Sequence, residues 1–123
     1  MSKALIIDDE LDICLMVAKH LQNLNFETHY ALTVKEARLK LLNTKYDVLF
    51  LDLNLTDGSG FDVIQYINRM NLNAKIIVIS AYDSEANKAL QAGANFFLPK
   101  PFAIKRINES LRALNVLPNN LTA

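Results

Sequence analysis

The sequence predicts an α/β domain, a doubly wound five-stranded parallel sheet with helices on both faces. Three observations carry this prediction. Short apolar runs alternate along the chain with longer segments that repeat at helical spacing. The runs at residues 4–7 and 48–51 are short, apolar and bounded by polar residues, so each reads as a buried parallel strand. The 123 residues, 51% hydrophobic and 21% charged, suit one globular domain with a sizeable core.

Each element follows in order. Ala4-Leu5-Ile6-Ile7 is the first strand. Leu11, Cys14, Leu15, Ala18 and Leu21 then recur at spacings of three and four and form the inner face of the first helix. Residues 27–31 make a weaker second strand. Thr33 is an N-cap, Glu36 completes a capping box, and Val34, Ala37 and Leu41 face inward from the second helix. Val48-Leu49-Phe50-Leu51 is the third strand. The third helix starts near Ser59 or Gly60 and runs to about Met70, carrying Phe61, Ile64 and Ile67. Ile76-Ile77-Val78-Ile79 is the fourth strand, Ser84 caps the fourth helix and Gly93 ends it. Phe96-Phe97-Leu98 is a short fifth strand, and Ile104, Ile107, Leu111 and Leu114 line the fifth helix. The segment after Leu114 reads as a frayed end or the start of a linker. The domain is therefore expected over residues 1–118, with 119–123 as a short tail or linker.

Composition removes several function classes. Thirteen basic and thirteen acidic residues cancel, and no basic run points to direct nucleic-acid binding. No apolar run reaches the ~18 residues of a membrane span. The one cysteine, Cys14, allows no intrachain disulfide and reads as a small core hydrophobe. His20 and His29 lie in no metal-like cluster and read as surface or edge residues. The expectation is a cytoplasmic domain with no membrane and no nucleic-acid partner.

The chemistry sits at strand ends. Asp8 and Asp9 follow the first strand, Asp52 the third, Ser80 the fourth and Lys100 the fifth. In an open parallel sheet, ligands bind outside the carboxyl ends of the strands, where strand order reverses. Two carboxylates about 4 Å apart repel by roughly 4 kcal/mol at an effective dielectric of ~20, so such a gathering needs a cation or a raised pKa. Magnesium takes hard oxygen ligands from one or two carboxylates plus phosphate oxygens. A lysine and a hydroxyl suit the remaining phosphoryl oxygens. Together the parts fit phosphoryl transfer to a carboxylate. Taken singly, Asp8 and Asp9 read equally as a helix cap and first-turn acid, Ser80 as a strand-end hydroxyl, Lys100 as a solvated lysine and Phe97 as core.

Asp8-Asp9-Glu10, Leu51-Asp52-Leu53-Asn54, Ile79-Ser80-Ala81 and Leu98-Pro99-Lys100-Pro101-Phe102, in this order and each after its own strand, resemble the receiver domain of two-component response regulators. The resemblance covers about residues 3–115. It implies a flavodoxin-like (βα)5 fold with Asp52 as phosphoacceptor. Asp9 then binds Mg2+ directly, Asp8 acts through a metal-bound water, Asp52 is a ligand, and Asn54 lends its backbone carbonyl. Ser80 and Lys100 contact the phosphoryl oxygens, Ser80 and Phe97 form the switch, and the bond before Pro101 is cis. The implied partners are a histidine kinase or histidine phosphotransfer protein, an effector or output domain, and a second copy in a phosphorylation-dependent homodimer. The implied role is a signalling switch that catalyses only its own phosphorylation and dephosphorylation, with the fourth helix, fifth strand and fifth helix as the responding face. The chain is either a stand-alone receiver or the N-terminal domain of a longer protein. One departure is Thr56, where many receivers have proline; Gly58 and Gly60 in the same loop allow unusual dihedrals. Tyr82 is expected at the lip of the site. Two rivals stand beside this reading. A small aspartyl-phosphate phosphatase of the haloacid dehalogenase type needs a second Asp two residues after the nucleophile, where this chain has Asn54. A phosphorylation-independent interaction module would not need the complete acidic set.

Overall fold

Strands β1 (Lys3–Ile7), β2 (Glu27–Ala31), β3 (Val48–Asp52), β4 (Lys75–Ser80) and β5 (Phe96–Pro99) alternate with helices α1 (Leu11–Asn23), α2 (Val34–Asn43), α3 (Gly60–Arg69), α4 (Ala86–Ala92) and α5 (Ile104–Ala113). They are described from a computed structural model, which covers residues 2–117. These five strands pair in parallel, in the order β2-β1-β3-β4-β5. Parallel neighbours need a crossover, and each crossover here carries one helix. The order reverses between β1 and β3, which opens a crevice at their carboxyl ends.

Strand alternation divides the core into two layers. Ala4, Ile6, Val48, Phe50, Ile77 and Ile79 face one way and pack with Cys14, Val17 and Leu21 of α1 and Ile107 and Leu111 of α5. Leu5, Ile7, Leu49, Leu51, Ile76 and Val78 face the other way, onto Ala37 and Leu41 of α2, Val63, Ile64 and Ile67 of α3, and Ala89 of α4. Every residue of β3 is buried, as a central strand covered on both faces requires. Cys14 is buried, as its reading as a core residue expects.

Several local expectations are corrected. Cys14, Val17, Ala18 and Leu21 form the buried stripe of α1, whereas Leu11 and Leu15 are 42% and 49% exposed. The stripe is centred on Val17 and Ala18, which turns Leu15 to the rim. Ile104 is likewise exposed at the first turn of α5. His20 is not at the surface: it is buried, with Nε2 2.7 Å from Asn108 Oδ1, and so joins α1 to α5. His29 lies on the edge strand β2, with Nδ1 2.6 Å from Tyr46 Oη. Thr33 Oγ1 accepts from Glu36 N as a cap should, but the Glu36 carboxylate returns to Leu32 N and not to Thr33 N. Ser59 caps α3, with Asp62 returning to its N–H. Ser84 does not cap α4. It lies inside a 3-10 turn, Asp83–Glu85, that precedes the helix. Gly93 ends α4 at φ 125°, a left-handed position that glycine adopts without strain. Leu117 is buried against the α1/α5 layer, so the chain past Leu114 is not frayed there. The tail expected at 119–123 lies outside the described residues. No helix among the described residues is long and apolar enough to cross a membrane.

Candidate functional site

Register builds the site. Ile7 of β1 pairs with Leu51 of β3, so Asp8 and Asp52 leave the sheet side by side at the crevice. Asp8 is fully buried and Asp52 is 4% exposed, while Asp9 and Glu10 are exposed. One carboxylate oxygen from each of Asp8, Asp9, Glu10 and Asp52 lies within 4.8 Å of all the others. Lys100 arrives from the end of β5, where its N–H donates to the Ser80 carbonyl at 2.7 Å and the Lys100–Pro101 bond is cis. Its Nζ stands 3.0 Å from Asp8 Oδ2, 3.1 Å from Glu10 Oε1 and 3.2 Å from Asp52 Oδ2. Backbone donors hold the other oxygens: Glu10 N–H donates to Asp8 Oδ1 and Asn54 N–H to Asp52 Oδ1.

Burial dominates the electrostatics. It pushes the Asp8 carboxyl up to about 6, against the Glu10 N–H and Lys100, which favour the anion. Burial also raises the Asp52 carboxyl, opposed by the Asn54 N–H and Lys100. Burial works against the Lys100 charge, but its contacts with Asp8, Asp52 and Glu10 outweigh it and hold the ammonium above the ordinary lysine value. The Cys14 thiol, whose Sγ is 3.4 Å from the Asp8 carbonyl, is pushed up to about 12, mainly by burial.

The donor set fits a hard divalent cation. Asp8 Oδ2 is buried and receives no aligned hydrogen bond, although Lys100 Nζ is near it. That leaves a lone pair unfilled in a ring of carboxylates. Oxygens of this kind, charged and incompletely satisfied, are what magnesium takes.

The loop after Asp52 is held from two sides. Asn54–Leu55 and Gly58–Ser59 form a minimal antiparallel ladder. Asp57 accepts from Val34 N at 2.7 Å and Lys35 N at 3.1 Å, so it caps α2 from a distance, and these donors lower its pKa. Neither Gly58 nor Gly60 has a positive φ. Gly60 is needed for close approach instead: a Cβ there would collide with the Asp52 carbonyl oxygen and lie 2.8 Å from Leu53 Cα. Thr56 is exposed in this turn.

Ser80 is fully buried at the end of β4. Its hydroxyl donates to Glu85 Oε1 at 2.7 Å and accepts from Tyr82 N at 3.1 Å. Asn54 Nδ2 reaches the same Glu85 oxygen at 3.4 Å. Phe97 pairs with Val78 across β4 and β5 and packs, partly buried, against the α2–α4 layer. Tyr82 is 57% exposed. The structure thus gathers Asp8, Asp9, Asp52 and Lys100, and turns the Ser80 hydroxyl to Glu85. Sequence reasoning missed three acids. Glu10 was legible as the third member of an acidic run; Asp57 and Glu85 carry no pattern that separates them from solvated loop residues.

Beside the acids, Ile13, Met16, Ala81, Pro101 and Phe102 line an open apolar depression of about 390 Å³ with Glu10 and Lys100 at its edge.

Residues 4–112 match the family model of the response regulator receiver domain. The chain is 41% identical over 109 residues to the response regulator protein PilR of Pseudomonas aeruginosa, covering 87% of this chain and 24% of PilR. It is 38% identical over 117 residues to the sensory transduction protein LytR of Staphylococcus epidermidis, covering 93% of this chain and 46% of LytR. It therefore spans less than half the length of these relatives. The structure of the response regulator TrrA from Thermotoga maritima, in complex with Mg2+ and beryllofluoride, superposes with a TM-score of 0.84 at 28% identity, covering 93% of this chain and 99% of that one. With the acids and lysine at the carboxyl rim of a (βα)5 sheet, these likenesses settle the family: this chain belongs to the response regulator receiver domains.

Proposed function

We propose that Asp52 accepts a phosphoryl group from a phosphohistidine on a histidine kinase or a histidine phosphotransfer protein. The observation that carries this is the position of Asp52: nearly buried, at the end of the central strand, with Oδ2 on Lys100 and Oδ1 on a backbone N–H. An Asp52 oxygen attacks the phosphorus, a P–O bond forms, and the P–N bond to the donor imidazole breaks, with a proton from solvent completing the leaving ring. Lys100 neutralises developing charge on the phosphoryl oxygens without moving far. Asp8, Asp9, Asp52 and the Asn54 carbonyl would hold Mg2+, which supplies the remaining charge neutralisation when bound.

The apolar depression supports docking of the donor, because Glu10 and Lys100 stand at its edge and Lys100 contacts Asp52. In this reading residues 1–118 are the receiver unit. The unit is a switch that catalyses only its own phosphorylation and dephosphorylation, in the cytoplasm. Ser80 draws toward the phosphoryl group and Phe97 repacks. The α4–β5–α5 face then changes for an effector, an output domain or a second copy.

Incubation with magnesium and acetyl phosphate, followed by intact mass, tests the assignment. The wild-type chain gains one phosphoryl group and Asp52→Asn gains none. An equal gain in Asp52→Asn refutes it.

A further inference from the structure

Ser80 has one proton to donate, and in this structure Glu85 has it. The hydroxyl is buried, its donor contact to Glu85 Oε1 is 2.7 Å, and its oxygen also accepts from Tyr82 N. A hydroxyl supplies a single O–H. It cannot hold Glu85 and also donate to a phosphoryl oxygen on Asp52. We infer that Glu85 is a latch: its carboxylate holds the Ser80 proton in the unphosphorylated chain, anchors the start of α4 to the sheet, and must be released for Ser80 to engage a phosphoryl group. This rests on the reading of Ser80 as a phosphoryl contact given above.

The surroundings show why that anchor matters. Glu85 ends the 3-10 turn that feeds α4, and α4 has only seven residues, of which Ala89 alone is buried. Its carboxyl end is tied by Asn68 Nδ2 to the Ala92 carbonyl at 2.9 Å. Its amino end is tied by Glu85, to Ser80 and more weakly to Asn54. Asn54 also gives its backbone N–H to Asp52, so one residue touches both the acceptor carboxylate and the latch. Both exchanged bonds, hydroxyl to carboxylate and hydroxyl to phosphoryl, are charge-assisted and of similar strength. The exchange is therefore close to balanced, and removing the first partner biases it toward the second. Glu85 is a positioning residue that acts through Ser80.

Two measurements test this on the full chain. In chelator and without phosphoryl mimic, amide hydrogen exchange of residues 83–92 should quicken in Glu85→Ala while exchange in the β-strands stays as in wild type. In magnesium and beryllofluoride, calorimetric titration should show Glu85→Ala binding about tenfold tighter than wild type, the scale of one charge-assisted hydrogen bond. Glu85→Gln, which keeps a neutral acceptor, should fall between the two. In a Ser80→Ala background, Glu85→Ala should change affinity by less than about twofold, because the coupled partner is gone. An equal gain in that background would show that Glu85 acts only as a diffuse charge, and would overturn the latch. Unchanged exchange at residues 83–92 would overturn it as well, whatever the phosphoryl chemistry. A wild-type chain that takes up no beryllofluoride refutes the phosphoacceptor reading and the release step together, while the exchange arm still decides whether Glu85 holds α4.

Discussion

Asp8→Asn should make the metal-free protein more stable. Asp8 is fully buried, its carboxyl is raised to about 6, and the ordinary value is 3.8. Each unit is worth 1.36 kcal/mol, so at neutral pH the folded chain carries about 3 kcal/mol of unfavourable ionisation at this one side chain. Asparagine is nearly isosteric and removes the charge, but burying its amide without full partners returns about 1 kcal/mol of cost. Lys100 keeps Asp52 and Glu10. A net gain of ~2 kcal/mol corresponds to a melting temperature roughly 8 °C higher in a domain of this size. The pH dependence has a definite sign. The folded-state pKa lies above the unfolded one, so the folded chain binds more protons between about pH 4 and 6, and its stability falls as pH rises through that window. Calorimetry in chelator from pH 4.5 to 7.5 should show this fall in wild type and a shallower one in Asp8→Asn, with the residual slope due to Asp52, whose pKa is also raised. In millimolar magnesium the ranking should narrow or invert, since only wild type gains fully from ligand binding. A variant that melts at or below wild type in chelator, or that keeps the wild-type slope, refutes the reasoning.

Further outcomes follow from particular contacts. Ser80→Ala should still take one phosphoryl group from acetyl phosphate, but its NMR shifts over residues 84–107 on adding beryllofluoride should stay confined near Asp52; the full wild-type pattern in the variant would break the link from Ser80 to Phe97. Gly60→Ala should cost at least ~2 kcal/mol in urea denaturation, because its Cβ meets backbone that cannot yield; an unchanged midpoint would contradict that close approach. Asp57→Ala should speed amide exchange at Val34 and Lys35 at neutral pH, and the difference should vanish on acidification, since Asp57 has a lowered pKa and caps only as an anion. Cys14, buried with its thiol pushed up to about 12, should react with a thiol reagent at pH 8 only as fast as the chain opens; rapid labelling of the native state would show an exposed thiol.

Elements built on a repeating pattern were legible from the chain. The five strands and five helices stand where apolar period and strand-end polarity put them, because burial on both faces leaves a mark on every residue of β3 and on residues 76–80 of β4. Asp8, Asp52 and Lys100 were legible for the same reason: each is the first polar residue after an apolar run, and Asp9 adjoins Asp8. What stayed hidden depends on pairs without a period. His20 meets Asn108 across 88 positions, and nothing near either residue announces the other. Glu85 sits five residues after Ser80 in a turn where any polar residue would satisfy composition. Leu15 was placed inward because it shares the spacing of its neighbours, yet a helix surface turns 100° per residue and a small rotation of the stripe sends it out.

The buried His20–Asn108 pair has a mechanical consequence. It stitches α1 and α5 together beneath their exposed surfaces, so the two helices form a stiff backplate on one side of the sheet. On the opposite side α4 is clamped at its ends and has one buried residue between. Compliance is thereby concentrated in a single short lever. The rim residues Leu11, Leu15 and Met16 of α1 can be exchanged without disturbing the seam, because none of them belongs to it. Changes in α4 have no such insulation. Under the proposed function, donor docking beside α1 and the response of α4 can therefore change separately.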